Sequence, residues 1–132
     1  MADKAWYGAA EAYERQGDLW AAVGTLKQLA AVHPQSELAA QGTLKSSDFL
    51  VSQGRGEEAK AELMKMLVVV QAEPTRSQAQ KKLGEILKAE GHLREAAVYF
   101  QEALKKAPPE SAAELQAQLN EIRQLQGMKQ EN

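Results

Sequence analysis

Small and apolar residues along this chain recur at intervals of three and four. That is the spacing of one face of an α-helix, not the alternation of a strand. The clearest stretch runs from Lys81 to Pro108, KKLGEILKAEGHLREAAVYFQEALKKAP. Leu83, Gly84 and Leu87 mark one face of a first helix, and Gly91 interrupts it. Ala96, Phe100 and Ala103 mark one face of a second helix, and Pro108 follows its end. Glycine closes a helix cheaply because it accepts the left-handed conformation, and proline cannot continue one. The stretch therefore reads as a helix–turn–helix hairpin.

The hairpin recurs. The turn glycines Gly17, Gly54 and Gly91 stand 37 residues apart, and other columns move with them: Ala22, Ala59 and Ala96; Leu26, Leu63 and Phe100; Leu29, Met66 and Ala103. In the first helices, Ala10, Ser47 and Gly84 are all small, and Tyr13, Leu50 and Leu87 are all bulky. Pro34 and Pro108 sit at equivalent places, with Gln71 between them. An internal period of this size signals stacked supersecondary units. Small residues let two helices approach, so Ala10, Ser47 and Gly84 are expected to face Ala22, Ala59 and Ala96, with the bulky column filling the space beside each contact.

The pattern predicts a helix N-capped by Asp3 and ending near Gln16, then Leu19 to Val32, then one opened by Ser36 and running to about Gln53. After the turn Gly54-Arg55-Gly56, Glu57 and Glu58 fall in the first turn of the next helix, where negative charge suits the dipole. Leu63 to Val70, LMKMLVVV, is rich in β-branched residues but continues the repeat, so it reads as helix. Thr75 to Glu90 and Leu93 to Ala107 form the third hairpin. A last helix over 110–126 puts Leu115, Leu119, Ile122 and Leu125 on one side and has no partner helix. Repeat arrays need a terminal unit with a polar outer face, so it is expected to cap the array, with glutamines 116, 118, 124 and 126 toward water. One domain is expected over 1–127, with repeats at about 3–34, 36–73 and 75–108 and a frayed tail at 128–132.

These marks resemble the tetratricopeptide repeat family. In the first unit Trp6, Ala9, Ala10, Tyr13, Gly17, Ala22, Leu26 and Pro34 occupy the signature positions, with Ala9-Ala10 in place of Leu-Gly and Leu26 in place of Phe. The third unit carries Leu83, Gly84, Ala96, Phe100, Ala103 and Pro108; the second carries Thr43, Ser46, Ser47, Leu50, Ala59 and Leu63. The resemblance covers roughly residues 3 to 108. The period departs from the family's usual ~34 by about one helical turn, so the first helices of repeats two and three are expected to begin one turn early. Lengthened repeats with a Pro-x-Ser boundary are similar to tetratricopeptide domains of bacterial envelope proteins.

The resemblance implies an all-α fold: three hairpins in a right-handed superhelix, closed by the C-terminal helix. It implies a non-catalytic scaffold that binds a peptide or partner helix in a concave groove lined by the first helices. On that basis the partner-binding residues are Lys4, Tyr7 and Glu11 in the first repeat, Leu44 and Asp48 in the second, and Lys81, Glu85 and Lys88 in the third. Gly8, Glu14, Gln41, Lys45, Val51, Gln78 and Lys82 complete the groove positions. Glu11, Asp48 and Glu85 form an acidic column, which with Tyr7, Leu44 and Val51 suits a peptide carrying apolar anchors and basic groups. Chaperone-cofactor members of the family hold a C-terminal carboxylate with a Lys–Asn pair. Tyr7 and Glu11 replace the first such pair here, so acidic C-terminal tails are not expected as ligands.

Composition narrows the alternatives. The 132 residues carry a net charge of −2, a pI near 5.7 and 5% aromatics, with no basic patch. Nucleic acid is not an expected partner. With no cysteine there is no disulfide, thiolate ligand or cysteine nucleophile. His33 and His92 have no second histidine at metal-ligand spacing, so no metal site is expected. Gly54-Arg55-Gly56 is not a phosphate loop, because no strand precedes it and no Gly-Lys-Ser/Thr follows. Glu57 and Glu58 are neighbours that diverge on a helix, and no Ser, His and Asp set suggests a triad. Neither catalysis nor a cofactor is expected. No apolar run reaches the ~18 residues of a membrane span, and Met-Ala-Asp-Lys leads into the first helix without an apolar leader. The expected compartment is the cytoplasm, or a bacterial periplasm if the chain is a fragment. Trp6 is expected in the core and Trp20 partly exposed. The alternative function is structural: assembly with copies of itself, or as a fragment of a longer repeat array. An exposed apolar edge at Trp6, Trp20 or the last helix would favour it.

Overall fold

The computed structural model describes residues 2–131, with side chains to Gly127; of the frayed tail expected at 128–132, only Asn132 falls outside the described residues, and the helix expected over 110–126 runs on to Glu131. Among the described residues every regular element is an α-helix: α1 (Ala2–Arg15), α2 (Leu19–Val32), α3 (Glu37–Ser52), α4 (Gly56–Val69), α5 (Thr75–Ala89), α6 (Leu93–Lys106) and α7 (Pro109–Glu131). The apolar LMKMLVVV run is helical through Val69. The turn glycines all take the left-handed conformation, with φ of 81° at Gly17, 76° at Gly54 and 85° at Gly91. Each turn is sealed the same way: Asp18 N–H donates to Tyr13 O, Arg55 N–H to Leu50 O and His92 N–H to Leu87 O.

The strict interval belongs to the turns and the second helices. α2, α4 and α6 each have 14 residues and start 37 apart. The first helices vary: 14 residues in α1, 16 in α3 and 15 in α5. The extra turn expected at the head of α3 and α5 is thus only one or two residues. The rest of the added length lies in the links at 33–36 and 70–74, where the chain can lengthen without breaking a helix ladder. Asp3 also differs from expectation. It sits inside the first turn of α1 rather than ahead of it, and its carboxylate accepts a hydrogen bond from the Ser36 hydroxyl at 2.8 Å.

Ser36 therefore has two roles. Its oxygen caps α3 by accepting from Leu38 and Ala39 N–H, and its proton ties the head of α1 to the head of α3. That hydrogen bond is the main reason the Asp3 carboxyl is lowered from its ordinary 3.8 to about 2. A folded-state value below the unfolded one stabilises the protein above the unfolded value, and the contribution fades as pH falls from about 4 toward 2. Ser36→Ala should return the Asp3 titration, followed by NMR, toward 3.8. Losing the cap should also cost about 1 kcal/mol. An Asp3 midpoint unmoved by the substitution would refute the assignment.

The chain forms two compact units, Met1–Val70 and Gln71–Asn132. In the first, α1 packs on α2 and α3 on α4, and α3 also lies against α1 and α2. Ala10, Leu26, Leu29 and Ala39 form one buried cluster, with Trp6, Tyr7, Ala30 and Leu38 packed on it. α2 and α3 meet so closely at Gly42 that a Cβ there would lie 2.6 Å from Leu26 Cδ2. The hydroxyls in this core are not a burden, since Thr43 donates to Ala39 O, Ser46 to Thr43 O and Ser47 to Leu44 O. Lys27 and Glu58 pair between α2 and α4.

In the second unit α5 packs on α6, and α6 on α7. Leu87, Leu93, Ala96, Phe100 and Ala103 are buried in one cluster with Leu115, Leu119 and Ile122 of α7. The small column is buried throughout, as expected. The space above Gly84, however, is taken by the ring of Phe100, whose Cε1 would be 2.8 Å from an added Cβ.

Candidate functional site

Within the first unit, α1 and α3 present a shared polar face. Lys45 Nζ lies 2.7 Å from Glu14 Oε1 and 5.5 Å from the centroid of the Tyr7 ring. The Lys45 ammonium is held above its ordinary value, chiefly by the hydrogen bond to Glu14 and further by the charges of Tyr7, Glu14 and Glu11. Lys4, Glu11 and Asp48 are exposed on the same two helices, and Val51 is 44% exposed. Tyr7 is half-buried, its ring body resting on the core cluster.

Leu44 is a correction. The sequence places it among the groove anchors, but it is buried with only 6% exposure. Helix α3 is flanked by α1, α2 and α4, so a position that stays partly open on α1 is closed over on α3. Sequence spacing identifies the column but not how many neighbours cover it.

In the second unit Glu85 is exposed, but the two predicted lysines are engaged. Lys81 Nζ is 2.8 Å from Glu114 Oε1. Lys88 Nζ is 2.7 Å from Glu121 Oε2 and donates to Gln118 Oε1 at 2.7 Å. All three acceptors belong to α7, so these lysines bind the last helix to α5. The signal was present in the sequence: two lysines seven apart on one helix, and two glutamates seven apart on another.

The tryptophans behave differently from each other. Trp6 packs on the core cluster. Trp20 is 46% exposed, sits edge-on to Phe49 with centroids 4.9 Å apart, and lies beneath the Arg55 guanidinium at 5.0 Å. On α7, Leu115, Leu119 and Ile122 are buried while Leu125 is 36% exposed. A cavity of about 390 Å³ lies between α2, α3 and α4, lined largely by alanines, Met66, Val69 and Val70. Among the described residues, no helix is long and apolar enough to cross a membrane, and no cluster of metal-ligating side chains occurs.

A sequence model of the tetratricopeptide repeat matches residues 4–36, the first hairpin and its link. Among solved structures, the chain is similar to a protein of Podosopora anserina ascribed to the kinesin light chains, with nearly identical TPR-like repeats. The match has 19% identity and a TM-score of 0.68, and covers 97% of this chain and 68% of that one. A variant of the same protein matches at 20% identity with the same TM-score and coverage. At these identities the likeness speaks for the fold. No curated protein matches the chain.

Proposed function

We propose that this chain, which belongs to the tetratricopeptide repeat family, holds a peptide or a partner helix along the α1–α3 face of its first unit. Chains of this family are in general protein-interaction scaffolds. The finer reading rests on one observation. Glu14, Lys45 and Tyr7 join α1 and α3 into a single prepared surface, with Glu11 and Asp48 exposed beside it. Lys45 is neutralised by Glu14, so the surface favours basic groups, and the Tyr7 ring offers an apolar contact. Opposite charge across such a face steers encounter and selects partners more than it adds raw affinity.

An immobilised peptide array, probed with the wild type and with Glu11→Lys/Asp48→Lys, tests this. The wild type should prefer peptides that pair Lys or Arg with an apolar residue. The double reversal should weaken those spots about tenfold, worth about 1.4 kcal/mol, with unchanged helical circular dichroism. Glu85→Lys, in the second unit, serves as a separate arm. Equal retention by wild type and double reversal would remove this face from the interface.

A further inference from the structure

In the first unit α2 packs on α1 and α3, and in the second α6 packs on α5 and α7, so the two sets of three helices can be matched. Shift α3 by 76 residues and it falls on α7: Ala39, Thr43 and Ser46 match Leu115, Leu119 and Ile122, all buried. The ion pairs confirm this register. Lys45 on α3 meets Glu14 on α1 at 2.7 Å, and the matching Glu121 on α7 meets the matching Lys88 on α5 at 2.7 Å, with the charges exchanged. At the third matched position an isoleucine stands in one unit and a serine in the other. Ile122 is buried in one cluster with Leu93, which is 8% exposed. Opposite Ser46, the residue equivalent to Leu93 is Leu19, and it is 40% exposed.

The missing side chain leaves a space. Between the end of α1, the head of α2 and the second half of α3 lies an open slot of about 100 Å³, walled by Leu19, Ala22, Val23, Leu26 and Phe49. Its aliphatic and aromatic walls suit an apolar side chain. Phe49 is braced from behind by Trp20. The Ser46 hydroxyl already donates to Thr43 O, so the floor has no free donor, and the rest of its lining is apolar. Glu14 and Lys45 stand at the rim, and Glu11 is near enough to raise Lys45 further.

We propose that the slot is a specificity pocket. It takes one isoleucine-, leucine- or valine-type side chain of a bound peptide, in the place Ile122 occupies in the other unit, and the adjacent peptide residue is a lysine or arginine facing Glu11. This rests on the peptide-binding reading above and names its anchor. An acidic neighbour would meet the Glu11 carboxylate beside a rim whose single ammonium, Lys45, is already paired with Glu14.

The test uses the full chain labelled with nitrogen-15 and the probe acetyl-Gly-Ile-Arg-Gly-amide. The amides of Leu19, Val23 and Phe49 should shift saturably. A probe with glycine in place of isoleucine, or glutamate in place of arginine, should bind at least fivefold more weakly. Ser46→Ile, which fills the slot as α7 does, should abolish the shifts while leaving the protein folded and at least as heat-stable. Leu19→Ser, at an exposed position, should weaken the probe without affecting the fold. Unchanged binding in Ser46→Ile would overturn the slot while leaving the peptide-binding face standing. Loss of all array and probe binding in the wild type would instead remove the underlying reading. Shifts that appear on concentrating the protein without probe, and vanish in Ser46→Ile, would replace the peptide with a second copy of the chain and overturn the proposed occupant. Equal binding of the glutamate probe would overturn the charge requirement.

Discussion

Replacing Phe100 with alanine is expected to cost about 3–5 kcal/mol, a large share of the whole stability of a small domain. The ring is fully buried, shares a cluster with Leu115, Leu119 and Ile122, and fills the space left by Gly84. Removing it opens a cavity at the junction of α5, α6 and α7 together. For 132 residues each kcal/mol lowers the melting temperature by roughly 4 °C, so thermal circular dichroism should show a fall of about 12–20 °C. A second substitution makes the expectation specific. Gly84→Leu alone should destabilise, because three atoms of the ring stand within 3.0 Å of an added Cβ. In the Phe100→Ala background the same leucine should refill the space and recover part of the loss. Coupling between touching residues runs to about 0.5–3 kcal/mol. Strict additivity of the two changes would sink the packing argument.

The second large effect tests the bulky column. Leu50→Ala is expected to cost about 2–5 kcal/mol, since Leu50 has no exposed surface. Leu87→Ala, one period later and 5% exposed, should behave alike. Tyr13→Ala, one period earlier, should cost less than half as much. Tyr13 is 39% exposed, so truncating it removes less buried contact and leaves little void. Urea denaturation of the three variants measures this directly. Equal losses at all three positions would mean that the repeat column, and not local burial, sets the energetics.

That column shows what can be read from the sequence and what cannot. The glycine interval identified the turns, and their left-handed φ follows from the residue type. The helical face of LMKMLVVV was legible because the repeat outweighed β-branching. Leu44 was misplaced because periodicity gives a direction from the helix axis, not the number of helices standing in that direction. Lys81 and Lys88 looked like groove cations because their partners lie on α7, which follows a different interval. From the head of α5 to the head of α7 is 34 residues, whereas the glycines run at 37. The kinship of α3 and α7 was hidden for the same reason, and because Ala, Thr and Ser in one correspond to Leu, Leu and Ile in the other. The slot could be found only after those two helices had been placed on equivalent neighbours.

The glutamates of α7 have a further consequence. A ladder of two charges seven residues apart is degenerate: sliding α7 by seven residues along its axis would still align one carboxylate with one lysine. The apolar seam resolves the ambiguity. A slide one way would bring Ile122, Gln126 and Lys129 to the places of Leu115, Leu119 and Ile122, and a slide the other way would bring Pro108, Ala112 and Leu115. Either slip forfeits most of the buried aliphatic surface, so only one register satisfies both the charges and the seam. The ion pairs fix the rotation of the last helix about its own axis, and the three aliphatic residues fix its position along that axis.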